Sequence, residues 1–357
     1  MESSNELKYA PVIIPTLCRY EHFVRCIESL RGNTWAKYTD VYIGLDYPAK
    51  EAHWNGYLKI KEYLQGEFPE FHSFNVIEHT KNVGAGENSK SLLDKCAEEH
   101  DRFIYAEDDL EFSPNFLQYM STALQKYEDD PSVAMVVGYS YPLEWKADPN
   151  CTVAKQNFNG SAWGRGFWLS KRERFSRYLS KNGLAKDFPN AYRTKRLDRM
   201  IDFAVKDYVS FCETGWGRKG SFLNRTSDVA MRIFLAVKDQ YAVMPLISKV
   251  RNHGYDGSGL YCQRIEGNET DDYCVDNYAF SKQPIDESDT FELIEDTSFD
   301  MKANRDLLNA FDRVSSEEMK MVWDKAEKLA KLGKYGGALL AGKKVLRKVA
   351  RKIGAER

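Results

Sequence analysis

Three consecutive carboxylates, Glu107-Asp108-Asp109, come at the end of a hydrophobic strand pattern. The strand is predicted over residues 102–107, and Ser113 and Pro114 then stand in the order expected for the N-cap and first residue of a helix over residues 114–127. The acidic cluster is therefore placed in a short loop between a buried strand and a surface helix. Open α/β sheets bind their ligands in loops at the carboxyl ends of strands.

The oxygen atoms of this cluster suit a hard divalent cation. Proteins usually hold Mg²⁺ or Mn²⁺ with one or two carboxylates together with the phosphates of a substrate. The cluster therefore predicts a Mg²⁺ or Mn²⁺ site that bridges the chain to a diphosphate. The alternative interpretation is an acidic helix start that complements the positive end of the helix dipole.

Strand and helix patterns alternate through the first third of the chain. Strands are predicted over residues 10–15, 40–45, 74–77 and 133–137, and helices over residues 20–31 and 88–99. This alternation predicts an α/β fold with a doubly wound, mainly parallel sheet. Later in the chain a helix is predicted over residues 227–238, an extended segment over residues 241–247, and another helix from Ser315, which has capping-box spacing to Glu318.

Composition narrows the class of protein. The chain has 357 residues, is 43% hydrophobic and carries a net charge of −2, which is ordinary for one large globular domain or two smaller ones. No 18-residue apolar run and no signal-peptide pattern is present, and the seven cysteines lack the CxxC spacing of zinc sites. We therefore expect a cytoplasmic protein, with no nucleic acid among its partners.

Positive charge is concentrated at the C-terminus. Residues 338–357 carry seven Lys or Arg and one Glu, and residues 338–353 separate into an apolar and a basic helical face. This pattern predicts an amphipathic helix that binds an anionic membrane surface, which would place the protein peripherally on the inner face of the cell membrane. A helix packed on the body of the protein, or a solvated terminus, is the alternative.

The acidic cluster also carries a family resemblance. The run Glu107-Asp108-Asp109-Leu110-Glu111, followed by Ser113-Pro114 and an aromatic-rich helix, resembles the Asp-X-Asp-type segment of N-acetylglucosaminyltransferase I and its relatives, which are metal-dependent, inverting glycosyltransferases of the GT-A fold. It is also similar to bacterial surface-polysaccharide glycosyltransferases. The resemblance extends over residues 9–262. It implies a GT-A domain over residues 1–262, with a nucleotide-sugar and metal half over 1–140 and an acceptor half over 141–262. Beyond this domain the local pattern predicts an irregular, polar extension over 263–312 and C-terminal helices over 313–357.

The resemblance implies roles for the acidic residues and for the end of the first strand. Asp109 matches the metal ligand, Asp108 the residue that meets the ribose or donor sugar, and Glu107 a contact to the donor sugar. Thr16 and Arg19 lie in a segment similar to the one that meets the nucleotide, where Arg19 would contact phosphate or base.

Further positions match the donor and acceptor sites of the family. Asp46 resembles the acidic residue that contacts uracil, and Asn82 and Lys90 lie in the loop and helix start that would line the nucleotide and donor sugar. Apart from the resemblance, Trp163 and Gly164 open a Gly-aromatic segment whose rings suit the apolar faces of sugars; a core tryptophan beside a tight turn is the alternative. His253 lies in the run Asn252-His253-Gly254-Tyr255-Asp256-Gly257-Ser258-Gly259, which resembles a bacterial polysaccharide glycosyltransferase segment and would contact the donor. A second metal ligand and a purely structural histidine are the alternatives for His253.

The general base implied by the resemblance is an Asp at a helix start in the acceptor half. Asp228 is the match, although Ser227 stands where the family has another Asp, and Glu213 is the reserve candidate. An Asp in the first turn of a helix is also favoured by the helix dipole alone.

The implied function is metal-dependent transfer of a sugar from a UDP-sugar to a glycan, a lipid-linked saccharide of a surface polysaccharide. Two other functions remain open. A P-loop-like kinase or sulfotransferase is suggested by residues 82–91, although the GxxxxGK[ST] pattern from Gly84 requires glycine at position 89, which is Ser89. A non-catalytic carbohydrate-binding protein would use the aromatic segment alone.

Overall fold

The computed structural model describes residues 7–214, 227–259, 280–312 and 314–331. These residues form two compact units. The first unit is drawn from the segments Met1–Lys155, Ser161–Lys171 and Val243–Phe299, and the second from Gln156–Gly160, Arg172–Ala242 and Asp300–Arg357. Both units are discontinuous in sequence. The division into continuous nucleotide and acceptor halves remains a prediction.

The described residues contain two β-sheets. The strands are β1 Val12–Thr16, β2 Asp40–Leu45, β3 Ser73–Glu78, β4 Arg102–Tyr105, β5 Leu110–Phe112, β6 Val133–Val137, β7 Val153–Gln156, β8 Arg165–Trp168, β9 Tyr241–Pro245 and β10 Val250–Asn252. Eight of them form one sheet in the order β3-β2-β1-β4-β8-β6-β9-β7, and β5 pairs with β10 in the second sheet. The fold is mixed α/β with a large, mainly parallel central sheet, as predicted.

The parallel part of the large sheet explains where its loops converge. Strand β1 pairs in parallel with β2 on one side and β4 on the other, and β2 pairs in parallel with β3. The chain thus builds outward from β1 through β2 to β3, and then returns to the other side of β1 with β4. The loops that follow β1 and β4 therefore leave the same edge of the sheet on either side of the point where the strand order reverses.

The described residues also contain α-helices. They are α1 Tyr20–Arg31, α2 Trp54–Tyr63, α3 Gly84–Cys96, α4 Phe116–Lys126, α5 Leu169–Ser180, α6 Gly183–Arg193, α7 Asp202–Thr214, α8 Asp228–Val237, α9 Met301–Asp312 and α10 Ser316–Lys331, with short 3₁₀ turns at Ala36–Tyr38, Glu51–His53 and Leu197–Arg199. Helix α1 forms because Phe23, Cys26, Ile27 and Leu30 repeat at helical spacing, and all four are buried in the core formed with β1, β2 and α4.

The segment after the acidic cluster differs from the prediction. Ser113 was expected to cap a helix that starts at Pro114, but the helix starts at Phe116 after Asn115. Residues 110–112 instead form β5, which pairs antiparallel with β10, and the Ser113 amide donates to the carbonyl of Lys249 at 2.9 Å. Pairing with a distant strand keeps the chain extended, so the helix begins two residues later than local propensity indicates.

The C-terminal part of the described chain contains a second correction. The extension over residues 263–312 was expected to be irregular, but α9 occupies its last twelve residues. Its first turn is capped by Asp300, whose Oδ1 accepts from the Ala303 amide at 2.9 Å, and Asn304 and Leu308 are fully buried one turn apart. Helix α10 is confirmed, and the Glu318 amide donates to Ser315 Oγ at 3.2 Å as a capping box requires.

Other helix and strand predictions are confirmed with small shifts at their ends. The helix expected over residues 88–99 begins four residues earlier, at Gly84, and the strand expected over 102–107 ends at Tyr105. No helix in the described ranges is long and apolar enough to cross a membrane. The predicted amphipathic helix over residues 338–353 lies outside the described residues.

Candidate functional site

The loops after β1 and β4 meet at a cluster of charged side chains. Thr16 Oγ1, from the last residue of β1, donates to Asp108 Oδ2 at 2.8 Å. Arg19, immediately before α1, forms ion pairs with both carboxylates: one with Asp108, and one from Nη1 to Asp109 Oδ2 at 2.8 Å. Four residues that the sequence placed at the donor site, Thr16, Arg19, Asp108 and Asp109, are therefore in direct contact.

Burial makes the charges of this cluster interdependent. Asp108 and Asp109 are only 6% and 7% exposed. Burial raises the pKa of Asp109 above its ordinary value, although Arg19 opposes that shift. Burial lowers the pKa of Arg19, but the attraction of Asp108 and Asp109 is stronger, so the pKa of its guanidinium ends above its ordinary value. Arg19 therefore stays charged and balances one of the two negative charges.

A second loop closes over Asp109 from the end of β10. The His253 amide donates to the carbonyl of Asp109 at 2.9 Å, and Asn252 Nδ2 approaches Asp109 Oδ1 at 3.4 Å. At Gly254 the backbone comes so near that a Cβ would stand 2.1 Å from Asp109 Oδ2. Only glycine fits such an approach, so Gly254 and Asn252 are site residues that the sequence indicated only as part of a longer run.

The same loop is tied to α1 and to β5 through histidines. His253 Nε2 lies 2.7 Å from Glu111 Oε2, and this hydrogen bond lowers the pKa of Glu111 below its ordinary value. His22 Nε2 lies 3.1 Å from Asp256 Oδ2 and 3.1 Å from the His253 carbonyl. The imidazole of His253 is thus engaged with Glu111, and its contact to a donor remains a prediction.

The oxygens of the carboxylate pair can be compared with the ligands that the predicted divalent cation prefers. These oxygens are hard ligands, they are buried, and Arg19 is the cation paired with them. In the described part of the chain no three His, Cys, Asp or Glu side chains are grouped as a complete metal site. This chemistry fits Mg²⁺ or Mn²⁺ with Asp109 as a protein ligand and a substrate diphosphate supplying further ligands.

Asp46 has a structural task at the end of β2. Its carboxylate accepts from the amides of Tyr47, Val83 and Gly84 at 2.8–2.9 Å and from Asn82 Nδ2 at 3.1 Å. These bonds hold the turn that starts α3, which explains why this helix begins earlier than predicted. Asp46 and Asn82 are therefore brought together, but their contacts to a nucleotide remain predictions.

The same turn bears on the P-loop alternative. A phosphate-binding loop needs backbone N–H groups that are available to the phosphate. Here the N–H groups of Val83 and Gly84 are already bound by Asp46. The exposed ammonium of Lys90 pairs with Asp94 one turn along α3 rather than with any group of the carboxylate cluster. These contacts disfavour a P-loop.

Trp163 and Gly164 lie beside the β10 loop. The Trp163 ring packs edge-on against Tyr139, Tyr255 and Phe280, with centroid distances of 4.5, 5.7 and 5.4 Å. Gly164 has φ +61°, and a Cβ there would stand 3.0 Å from the Phe116 ring. The ring of Trp163 is only partly buried. An aromatic surface therefore continues from Gly254 and Tyr255, next to Asp109.

The candidate base lies in the second unit. Asp228 is the first residue of α8, and Ser227 caps this helix by accepting from the Ala230 amide at 3.1 Å, so Asp228 is not needed as the cap. The reserve candidate Glu213 forms an ion pair with Lys325 at 3.3 Å, and the side chain of Lys325 is 52% exposed. The reserve role of Glu213 as the base remains a prediction, as does the contact of Glu107 to the donor sugar.

Asp207, on α7, is a carboxyl that the sequence analysis missed. Burial raises its pKa to about 6; Arg232 opposes the shift and Asp228 adds to it. A signal was present, because Asp207 falls on the helical spacing of the buried residues Ala204 and Phe211. A carboxyl with a pKa near neutrality beside the candidate base is typical of functional sites.

Asp207 provides a pH-dependent test of this environment. In the folded protein the pKa of Asp207 is about 6, above its ordinary value of 3.8. Ionisation of Asp207 therefore lowers the free energy of unfolding: the full loss is present above pH 6, and there is no loss below about pH 4. We expect Asp207→Asn to raise the free energy of unfolding at pH 7.5 by about 2 to 3 kcal/mol. Urea unfolding at pH 7.5 and pH 4 would measure the gain, which should vanish at the lower pH. An equal effect at both pH values would contradict a raised pKa.

Comparisons with known proteins give matches among solved structures only, at low identity and low TM-score. No protein-family model matches it, and no curated protein sequence matches it. The solved structures it is similar to include S. aureus TarS in complex with UDP-GlcNAc (15% identity, 39% of this chain and 38% of that chain, TM-score 0.29). They also include the mannosyltransferase PcManGT from Pyrobaculum calidifontis in complex with GDP-Man and Mn²⁺ (12%, 48% and 50%, 0.32) and apo GlyE from Streptococcus pneumoniae TIGR4 (13%, 66% and 44%, 0.29).

The matched regions span half or less of each of these three proteins. At this identity and TM-score, the likeness carries no argument about donor, metal or acceptor. The function of this protein is therefore inferred from its own side chains.

Proposed function

We propose that the chain is a metal-dependent, inverting glycosyltransferase of the GT-A type that transfers a sugar from a UDP-sugar to a glycan acceptor. The observation that carries this proposal is the buried Asp108–Asp109 pair, bound by Thr16 and Arg19 where the strand order reverses between β1 and β4. Ligands of open α/β sheets bind at this position. A carboxylate pair with one arginine fits a cation together with a diphosphate.

The residues of the first unit would bind the donor. Asp109 would hold Mn²⁺ or Mg²⁺, and Arg19 would contact a phosphate. The cation, when bound, would neutralise charge on the departing nucleoside diphosphate. Asp108, held by Thr16, would meet the ribose or donor sugar, and the aromatic surface at Trp163 and Tyr255 offers apolar faces for a sugar ring.

We assign the general base to Asp228. Its carboxylate would take the proton of the acceptor hydroxyl as the new bond forms between that oxygen and the anomeric carbon, and as the bond from that carbon to the diphosphate oxygen breaks. One base and one displacement invert the configuration at the anomeric carbon. We further assign the acceptor to a lipid-linked saccharide of a surface polysaccharide, and residues 338–353 to an anionic membrane surface, on the basis of the sequence alone.

Asp109→Asn tests the metal-coupled donor site. The substitution keeps the size of the side chain, leaves Asp108 to pair with Arg19 and removes one carboxylate charge. We expect the Mn²⁺-dependent part of UDP binding to be abolished, because a neutral amide is a poor ligand for a hard cation. Calorimetric titration of UDP with Mn²⁺ and with EDTA measures the effect, and circular dichroism checks the fold.

Calorimetric titration with ATP or with glycans in place of UDP tests the two alternative functions. Binding of ATP in place of UDP would support a kinase, and binding of glycans without any nucleotide would support a carbohydrate-binding protein. Equal affinity of the wild-type protein for UDP with and without EDTA would remove the metal from the proposed function.

A further inference from the structure

Arg19 pairs with one oxygen of each of the two carboxylates that would hold a cation. Its guanidinium reaches both carboxylates at once, with Nη2 paired to Asp108 Oδ1 and Nη1 2.8 Å from Asp109 Oδ2. The Arg19 side chain is 22% exposed, whereas the side chains of Asp108 and Asp109 are 8% and 10% exposed. The cation of this cluster is thus its most accessible member. Arg19 therefore lies nearer to solvent than the two carboxylates do.

Asp108 and Asp109 have little freedom to turn away from Arg19. The second oxygen of Asp108 is held by Thr16 at 2.8 Å. On the other side, the backbone of Gly254 leaves no space, since even a Cβ there would stand 2.1 Å from Asp109 Oδ2. A divalent cation bonded to Asp109 Oδ2 at about 2.0 to 2.2 Å would lie close to the Arg19 nitrogen that is now 2.8 Å from the same oxygen, so the two positive charges would repel each other.

Neither exchange is favourable in isolation. If Arg19 left alone, two adjacent buried carboxylates would remain without a cation, which is costly. If a divalent cation entered alone, it would meet the fixed positive charge of Arg19. A diphosphate resolves both problems, because it brings ligands for the metal and also offers the planar guanidinium a bidentate partner.

We propose that Arg19 closes the carboxylate pair in place of the metal and moves to the diphosphate when cation and nucleotide enter together, so that the two ligands bind cooperatively. The inference rests on the proposed function in one respect, the diphosphate nature of the donor. Cooperativity of this kind is reciprocal: UDP strengthens Mn²⁺ binding by the same factor by which Mn²⁺ strengthens UDP binding.

Mn²⁺ titration followed by the electron paramagnetic resonance signal of the free ion tests the inference without any turnover. In the wild-type protein we expect saturating UDP to strengthen Mn²⁺ binding by about tenfold or more. In Arg19→Gln, Mn²⁺ alone should bind about tenfold more tightly than to the wild type, because no side chain has to be displaced. The effect of UDP on Mn²⁺ affinity should then fall below about threefold.

Two further variants control for folding and for general charge effects. Arg19→Lys keeps one positive charge but cannot fork between two carboxylates, so we expect a coupling between the wild-type and Arg19→Gln values. Arg31→Gln removes an arginine from the other end of α1, where it pairs with Glu28 and Glu70, and should retain the wild-type coupling. Should Arg19→Gln fail to fold, Arg19→Lys carries the test.

The failure of this inference is distinguishable from failure of the proposed function. Equal Mn²⁺ affinity of wild type and Arg19 variants, or an unchanged effect of UDP, would overturn the displacement of Arg19 while leaving a UDP-binding transferase in place. If UDP binds with the same affinity whether or not Mn²⁺ is present, the cooperative exchange is overturned as well. If neither UDP nor Mn²⁺ binds any of the proteins, the proposed function fails with it.

Discussion

Asp228→Asn is expected to lower the turnover of UDP-sugar transfer by about 10² to 10⁴-fold, the usual contribution of a general base. Asparagine keeps the size of the side chain but cannot accept the proton of the acceptor hydroxyl. The helix should be little affected, because its side-chain cap is Ser227, which accepts from the Ala230 amide, rather than Asp228. Binding of UDP should also stay near the wild-type value, since the donor contacts are assigned to Arg19, Asp108 and Asp109.

Glu213→Gln is the matched control for this experiment. Glu213 pairs with Lys325 at 3.3 Å on partly exposed side chains, so its loss should change turnover little. Steady-state rates with saturating donor and a short soluble acceptor, together with UDP titrations, separate an effect on chemistry from one on binding. If Asp228→Asn kept more than about a tenth of wild-type turnover, the base would have to be sought elsewhere, first in the reserve candidate Glu213 and then in Asp207.

Local patterns predicted those parts of the fold that depend on local interactions. Helix α1 was predicted with its observed ends because the buried residues Phe23, Cys26, Ile27 and Leu30 already mark one face in the sequence. Strands β2 and β6 were predicted in the same way from apolar runs between turn residues. For these elements tertiary contacts agree with the local pattern, so the sequence is sufficient.

Elements that depend on distant partners were missed or misplaced. The pairing of Arg251 with Glu111 joins positions 140 residues apart, and this pairing keeps residues 110–112 extended and delays the start of α4. Helix α3 begins early because Asp46, from the end of β2, binds the amides of Val83 and Gly84. Neither contact leaves a periodic trace in the local sequence.

The candidate site shows the same distinction. Each member of the carboxylate cluster was identified from its own segment, but the 89-residue separation between Arg19 and Asp108 concealed that they form an ion pair. The sequence therefore predicted a common site for these residues, but not that Arg19 holds the carboxylates. Asp207 was missed because its significance arises from burial next to Arg232 and Asp228, which only the packing of α7 and α8 produces.

Lys249→Met is expected to lower the free energy of unfolding by about 3 to 5 kcal/mol, the usual cost of removing one partner of a buried ion pair. Lys249 is 2% exposed, and its ammonium pairs with Asp286 and lies 3.0 Å from Asn115 Oδ1. Burial raises the pKa of Asp286, but its bonds to Lys249 and Asn115 lower it more, to about 2. Without Lys249, the Asp286 carboxylate would stay largely buried with no cation beside it.

The pH dependence of this effect has a definite sign. Asp286 has a folded pKa of about 2, below its ordinary value of 3.8, so its contribution to stability is present above about pH 4 and is lost as the pH falls toward 2. Urea unfolding should therefore show the full difference between wild type and Lys249→Met at pH 7, and a smaller difference near pH 2.5.

Lys302→Met, at an exposed pair with Asp306, is the matched control and should cost less than about 1 kcal/mol. In the double variant Lys249→Met/Asp286→Asn, most of the loss should be recovered, because neither charge remains buried alone. Losses that simply add in the double variant would show that Lys249 and Asp286 act independently, against the contact between them.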